Sequence, residues 1–392
     1  MNKAIYICAA MALMLASCSG DETVEQAKEK GISFRGTVGL STRALNTGTA
    51  ELLDGKVLYV TTFKPNGGER LFVETEYVFD GDVWMAQPAQ TWGVNDKLSF
   101  FLTYPKLDEW KTGFELTNDN KTVTVTVDKD IRQQKDYVAA YLKDMDKTTS
   151  AMRADLRHVL SSIEIWAKNT NGAFKYKVKG IRICGVNEQV SIDLSKINDA
   201  DFSVGQGTLF RNYELTYDAP VKLEGKAKSL MGDAGNAILP PQDGGENLKW
   251  DGTQTRDDAG GYCGYYISVL INLTATAGAN IYPAGSTVDN ETYGWVSVPV
   301  AFNWESGKKY VYTLDFSDGA GQVDPTDPGK DVTPDDNVDP AKAKPVLGGL
   351  IKFGLTVTKW NEDDKNVDLK DGDEFGVTVD EWEDETNDAT VK

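Results

Sequence analysis

The strongest constraint on this chain is a two-residue beat of apolar and polar residues that recurs between turn signals, while the three-to-four-residue spacing of helices is scarce. Residues 122–127 keep it most strictly, with Val123, Val125 and Val127 alternating with Thr122, Thr124 and Thr126. Residues 32–40 keep it too. Ile32, Phe34, Val38 and Leu40 share one parity, with Ser33, Arg35, Thr37 and Gly39 between them, the pattern of a strand that buries one face. A polar turn carrying Arg43 follows, and the chain restarts with small and polar residues over 44–50. Residues 56–63, 71–79, 83–87 and 97–104 are further apolar runs, separated by Pro65-Asn66-Gly67-Gly68 and Asp80-Gly81-Asp82 and stopped by Pro105; Asp-Gly between such runs is a strong hairpin signal. Residues 136–142 and 149–159 read instead as a short helix or an irregular connection. A polar, turn-like stretch at 169–173 marks the expected boundary with a second β-rich half, whose strands read as 174–180, 181–186, 190–194, 262–275, 295–302 and 310–316. Loops are expected at 205–207 and 227–237, and residues 319–345, rich in Pro, Asp and Gly, read as a linker or long loop.

The first residues carry an export signal. Lys3 gives a positive start, and residues 5–15 form an apolar core too short to span a bilayer. Leu15-Ala16-Ser17-Cys18 matches a lipobox, in which small residues precede a cysteine that is lipidated and becomes the new N-terminus. Ser19-Gly20-Asp21-Glu22 is a polar and acidic sequel of the kind that sends lipoproteins to the cell surface. Acyl chains on Cys18 would hold the protein at the outer membrane without a spanning helix. No other segment approaches eighteen apolar residues.

Charge and residue types exclude several function classes. The net charge of -19 opposes nucleic acid and anionic membrane as partners, and residues 361–392, with 13 acidic and 3 basic side chains, hold -10 of it. Of the four cysteines, Cys8 falls in the signal and Cys18 in the lipobox. Cys184 and Cys263 then form either one disulfide or two separate buried thiols. His158 is the only histidine, so a serine or cysteine nucleophile would have to use it, and no Gly-x-Ser-x-Gly elbow occurs. A structural hydrogen bond is the expected role of this side chain. Clustered Cys and His for zinc are absent, no carboxylate pair stands out, and residues 324–339 and 368–374 lack the spacing of a calcium loop. The expectation is no enzyme, no cofactor and no metal.

The C-terminal region repeats itself. Phe353-Gly-Leu-Thr-Val-Thr-Lys-Trp360 recurs 22 residues later as Phe375-Gly-Val-Thr-Val-Asp-Glu-Trp382, identical at five of eight positions. Phe353, Leu355 and Val357 share one face, as do Phe375, Val377 and Val379. The pair either forms a hairpin appended to the second half, leaves its last strand free to be donated, or completes the local sheet. Glu381, Glu383, Asp384 and Glu385 flank the last strand as charges that discourage premature edge pairing.

Taken together, the lipobox, the Ile-Ser-Phe strand ending in Thr-Arg-Ala, Leu-Arg-His-Val-Leu at 156–160, Ile-Leu-Pro-Pro-Gln at 238–242, Trp-Glu-Ser-Gly-Lys-Lys-Tyr-Val-Tyr-Thr-Leu at 304–314 and Ile-Lys-Phe-Gly-Leu-Thr-Val-Thr-Lys-Trp at 351–360 resemble the fimbrillin family of type V pili. The resemblance implies two transthyretin-like Greek-key β-sandwich domains in tandem, placed here at 44–170 and 171–392 after a signal peptide at 1–17 and a propeptide at 18–43. It implies lipidation at Cys18 and cleavage between Arg43 and Ala44 by an arginine-specific protease. It further implies loss of the strand bearing Ile32, Phe34, Val38 and Leu40, and filling of the vacated groove by a strand of another copy or a related pilus subunit. Arg35 and Arg70 compete as cleavage sites, the first inside the strand and the second within a hairpin. Four side chains of this size contribute about 6 to 12 kcal/mol on burial, at roughly 1.5 to 3 each. The alternative is a surface lipoprotein or tip adhesin that binds glycan or host protein, for which Trp84, Trp92, Trp110, Trp250 and Trp295 would serve as aromatic platforms.

Overall fold

The first half forms eight strands among the described residues, only some of them alternating: β1 (Ser33–Val38), β2 (Val57–Phe63), β3 (Arg70–Phe79), β4 (Trp84–Ala86), β5 (Lys97–Tyr104), β6 (Thr122–Thr126), β7 (Val138–Asp146) and β8 (Met152–His158). The structure is a computed structural model and describes residues 31–38, 57–65, 69–110, 121–199, 202, 205–206, 210–243, 265–323, 346–347 and 351–360. Seven of the eight strands hydrogen-bond in the order β1-β4-β3-β2-β5-β7-β8, and pairing of β8 with β1 closes them into a barrel. The Asp80-Gly81-Asp82 signal makes the tight link between β3 and β4: Asp80 Oδ1 accepts from the N–H groups of Asp82 and Val83, and Gly81 adopts a φ of 109°, which side chains rarely tolerate. Ile32, Phe34, Leu58, Val60, Tyr77, Trp84, Trp92, Phe100 and Leu156 fill the interior.

The second half contributes β9 (Ser161–Lys168), β10 (Phe174–Asn187), β11 (Gln189–Asp193), β12 (Gly205–Gln206), β13 (Phe210–Lys222), β14 (Lys228–Ser229), β15 (Ala237–Leu239), β16 (Gln242–Asp243), β17 (Tyr266–Ala275), β18 (Asn280–Tyr282), β19 (Gly294–Pro299), β20 (Asn303–Trp304), β21 (Lys308–Asp315), β22 (Gln322–Val323) and β23 (Lys352–Lys359). One sheet runs β13-β10-β17-β19-β22 with β18 beside β17, and another runs β14-β9-β21-β23 with β15 beside β9. Their inward residues form one large core that includes Ile163, Ile165, Ile181, Ile183, Val269, Ile271, Tyr310, Tyr312 and Leu314. β6 leaves the barrel and pairs with β11. β9, which precedes the expected 170/171 division, runs parallel to β21 and so belongs to the later sheet by its hydrogen bonds.

The all-β class expected from the sequence is what the protein adopts; helical backbone among the described residues is confined to 3-10 turns such as Ile131–Gln133 and Leu194–Lys196. Residues 136–142 and 149–159 correct the reading of a short helix or irregular connection, because they supply β7 and β8. In β7, Val138 and Ala140 face the barrel interior while Ala139 and Tyr141 pack on the other core. With both faces covered, the polar beat that marks a strand is lost. The loops expected at 205–207 and 227–237 hold the short strands β12 and β14 and the start of β15.

Candidate functional site

β1 is the strand that seals the barrel. It pairs with β8 in parallel over five positions, from Phe34 opposite Met152 to Val38 opposite Leu156, and with β4 in antiparallel over two, Ser33 opposite Met85 and Phe34 opposite Trp84. The Ile32 N–H donates to the Gln90 carbonyl at 2.8 Å, which extends the attachment beyond β4. Ile32 and Phe34 are 1% and 0% exposed. The Phe34 ring lies 5.3 Å from both Tyr77 and Phe100, tilted against the first and edge-on to the second, and Phe100 meets Trp92 at 5.7 Å. Edge and tilted ring contacts of this kind add to the burial of each ring. Ile32 and Phe34 are enclosed as their alternation predicts, but Ser33 between them, on the other parity, is buried as well, at 7% exposed. Val38 is placed by its backbone pairing to Leu156, while Leu40, Arg43, Ala44 and Cys18 lie outside the described residues.

Three polar atoms beside this slot, the Tyr77 hydroxyl and the indole nitrogens of Trp84 and Trp92, are buried without a hydrogen-bond partner. Such atoms cost free energy in an apolar enclosure. Burial pushes the Tyr77 phenol far above its ordinary value. A phenol whose folded pKa is raised keeps its stabilising neutral form below the unfolded value near 10, and that contribution is lost as the pH rises through the folded value.

Two features of the slot were not legible in the pattern. The first is Gly36, on the same parity as Ile32 and Phe34, where an added Cβ would lie 1.9 Å from the Ala154 carbonyl oxygen. The second is that the long-edge partner is β8, whose Met152, Ala154, Leu156 and His158 are buried while Arg153 is exposed. The alternation Met-Arg-Ala-Asp-Leu-Arg-His was the signal that could have found it. Arg35 faces outward and forms an exposed ion pair with Asp82 of the β3–β4 turn. Arg70 begins β3, opposite Phe63.

The C-terminal candidate is built differently. β23 pairs with β21 along its whole length, from Lys352 opposite Asp315 to Lys359 opposite Lys308, and among the described strands it has no second neighbour. Phe353 and Leu355 are half-buried and Val357 is 46% exposed. Its end is pinned by Trp360, whose ring stacks on His158 at 4.1 Å and 16°, with the Trp360 N–H donating to the Gly307 carbonyl at 2.9 Å. His158 Nδ1 in turn lies 2.7 Å from Asp136 Oδ2. This is a structural role for the sole histidine. Phe375, Val377 and Val379 lie outside the described residues.

Three of the tryptophans considered as sugar platforms are interior: Trp84, Trp92 and Trp295 are 1%, 2% and 9% exposed. Trp295 is capped by the Arg182 guanidinium at 4.2 Å from its ring centre. Cys184 is buried, and Cys263 lies outside the described residues. Among the described residues no three His, Cys, Asp or Glu are grouped to hold a metal, and no helix is long and apolar enough to cross a membrane.

The fold and the slot define an all-β protein whose N-terminal strand is the closing element of its own barrel. Residues 42–328 match the sequence profile of the fimbrillin-like family, and the chain belongs to that family. The matched stretch begins after β1 and ends before β23. Among solved structures the chain is similar to a candidate cell adhesion protein of Bacteroides uniformis, at 14% identity over 85% of this chain and 100% of the other, with a TM-score of 0.43. It is also similar to one of Parabacteroides distasonis, at 12% identity over 85% and 97% with a TM-score of 0.44. A third is the tip fimbrial protein Mfa3 of Porphyromonas gingivalis, in a C-terminally truncated form, at 12% identity over 84% and 98% with a TM-score of 0.36. No curated protein matches the chain in sequence.

Proposed function

We propose that this member of the fimbrillin-like family is a structural subunit of a cell-surface type V fimbria that supports adhesion. It is exported as an outer-membrane lipoprotein acylated on Cys18, cut between Arg43 and Ala44 by an arginine-specific protease, and joined to neighbouring subunits by donor-strand exchange. Its two halves act as tandem transthyretin-like sandwiches, divided at 170/171 in sequence, with β9 lent to the second by its pairing to β21. The observation that carries this reading is the position of β1, which seals the barrel between β4 and β8 and buries Ile32 and Phe34 in its core.

Removing such a strand strands backbone donors and acceptors on two edges and opens an apolar trough, and an incoming strand satisfies both at once. Ile32 and Phe34 alone contribute roughly 3 to 6 kcal/mol of burial that the replacement regains. The C-terminal strands, with Phe353, Leu355 and Val357 or Phe375, Val377 and Val379 on one face, are the donors offered to other subunits. No nucleic acid, cofactor or metal takes part.

The test is to treat residues 19–392 with an arginine-specific protease, sequence the new N-terminus and follow particle size by light scattering, alone and with other subunits of the same fimbria. A new N-terminus at Ala44 with denaturant-resistant assemblies is the expected result. A chain that resists cleavage there, or is cut and never associates, overturns the reading in favour of a stand-alone binding lipoprotein.

A further inference from the structure

Residues 351–357, Ile-Lys-Phe-Gly-Leu-Thr-Val, repeat residues 32–38, Ile-Ser-Phe-Arg-Gly-Thr-Val, with Ile, Phe, Thr and Val identical at four of seven positions. Aligned so, Ile351, Phe353 and Val357 stand for Ile32, Phe34 and Val38. The one change on the apolar parity sets Leu355 against Gly36. The second C-terminal repeat departs further, because with Phe375 in the place of Phe34, Val377 falls on Gly36 and Asp373 falls on Ile32.

Gly36 is the position with no room. Its added Cβ would sit 1.9 Å from the Ala154 carbonyl oxygen and 3.0 Å from the carbonyl carbon, and these are backbone atoms of a strand that is itself held to β7 through Val138–His158 and Ala139–Arg157 pairing. A side-chain obstacle could rotate away; this one cannot. Sliding does not help a strand that enters in the direction of β1. Placing Gly354, Gly372 or Gly376 on Gly36 brings Lys352, Lys370 or Glu374, two residues earlier, into the Phe34 place. Gly348 and Gly349 would put Lys344 or Pro345 at the Ile32 place, where the backbone N–H bonds Gln90 and the side chain is 1% exposed.

We infer that Gly36 marks a steric filter, and that the strand replacing β1 comes from a subunit of different sequence rather than from the C-terminus of a second copy of this chain. The partner strand carries a glycine two residues after one large apolar residue and two before another. The inference rests on the strand-exchange reading and adds to it which partner the groove accepts.

The experiment cleaves residues 19–392 with an arginine-specific protease, quenches the protease, and adds fluorescein-labelled peptides of residues 30–40, 349–360 and 371–382, the second also as a Leu355→Gly version. Binding is read by anisotropy and by co-elution with the protein. The 30–40 peptide and the Leu355→Gly version bind, and the unmodified C-terminal peptides bind at least about tenfold more weakly, as overpacking a filled core requires. Glycine ordinarily weakens a strand, so a gain on substitution reports the slot itself. An unmodified 349–360 peptide binding as tightly as its Leu355→Gly version would overturn the filter while leaving strand exchange intact. Failure of every peptide, the 30–40 peptide included, would overturn strand exchange and the filter together.

Discussion

β1 and β23 carry nearly the same run of residues and live in opposite settings. β1 has a strand on each edge and keeps Ile32 and Phe34 within about 1% of full burial, whereas β23 has one strand beside it and leaves Val357 46% exposed. The difference shows that enclosure, more than sequence, decides what such a strand contributes: the same phenylalanine is a core anchor in one place and a partial cover in the other. The largest effect that would break the comparison is therefore a pair of matched truncations. Phe34→Ala empties a fully enclosed ring site and is expected to lower stability by about 3 to 5 kcal/mol. Phe353→Ala removes a half-buried ring and is expected to cost about 1 kcal/mol, near half of a full burial. Urea denaturation of the uncleaved chain measures both, and equal losses would mean that the two strands are held alike.

Trp360 sharpens the comparison from the other side, because it ties the open strand to the closed barrel. Its stack on His158 joins the end of β23 to the end of β8, the strand that also forms the long edge of the β1 slot. Trp360→Ala removes that tie and is expected to speed amide hydrogen exchange over residues 352–359 by about tenfold, equivalent to roughly 1.4 kcal/mol of local stability. Exchange over residues 33–38 stays as it was, since β1 keeps all its partners. A parallel rise in both segments would show that β8 transmits the loss and that the strands are coupled.

The pattern of residues revealed a strand where one face is buried and the other wet, and concealed it where both are covered. The valines of β6 follow that rule, whereas in β1 the polar Ser33 between Ile32 and Phe34 is buried too and only Arg35, among its described residues, is exposed. β7 was missed because Val138 and Ala140 line the barrel while Ala139 and Tyr141 line the neighbouring core. β8 alternates plainly, and His158 at its end is buried beside Asp136 and Trp360. The site was legible as a strand but not as a slot: that β8 runs parallel to β1, and that Gly36 presses on Ala154, are consequences of long-range pairing that no local spacing encodes. The same holds for the tryptophans, whose types suggested exposed platforms while ring packing placed Trp84 and Trp92 inside.

The smallest effect concerns how β1 is held at its surface. Arg35 and Asp82 form an ion pair between side chains 56% and 63% exposed, and such pairs contribute at most about 1 kcal/mol and are screened by salt. Arg35→Ala is expected to lower the unfolding free energy of the uncleaved chain, measured in urea, by no more than that, and the loss should vanish in about 1 M salt, where the screening length falls to about 3 Å. Under the proposed maturation, the same variant also removes an arginine that would compete with Arg43 inside the strand. If maturation uses Arg43, the N-terminus produced by the protease is Ala44 in both proteins and the rate of its appearance is unchanged, because β1 is retained by Ile32 and Phe34 in the core and not by the charge outside it. A large loss of stability on removing Arg35 would reverse that order and make the slot an electrostatic one.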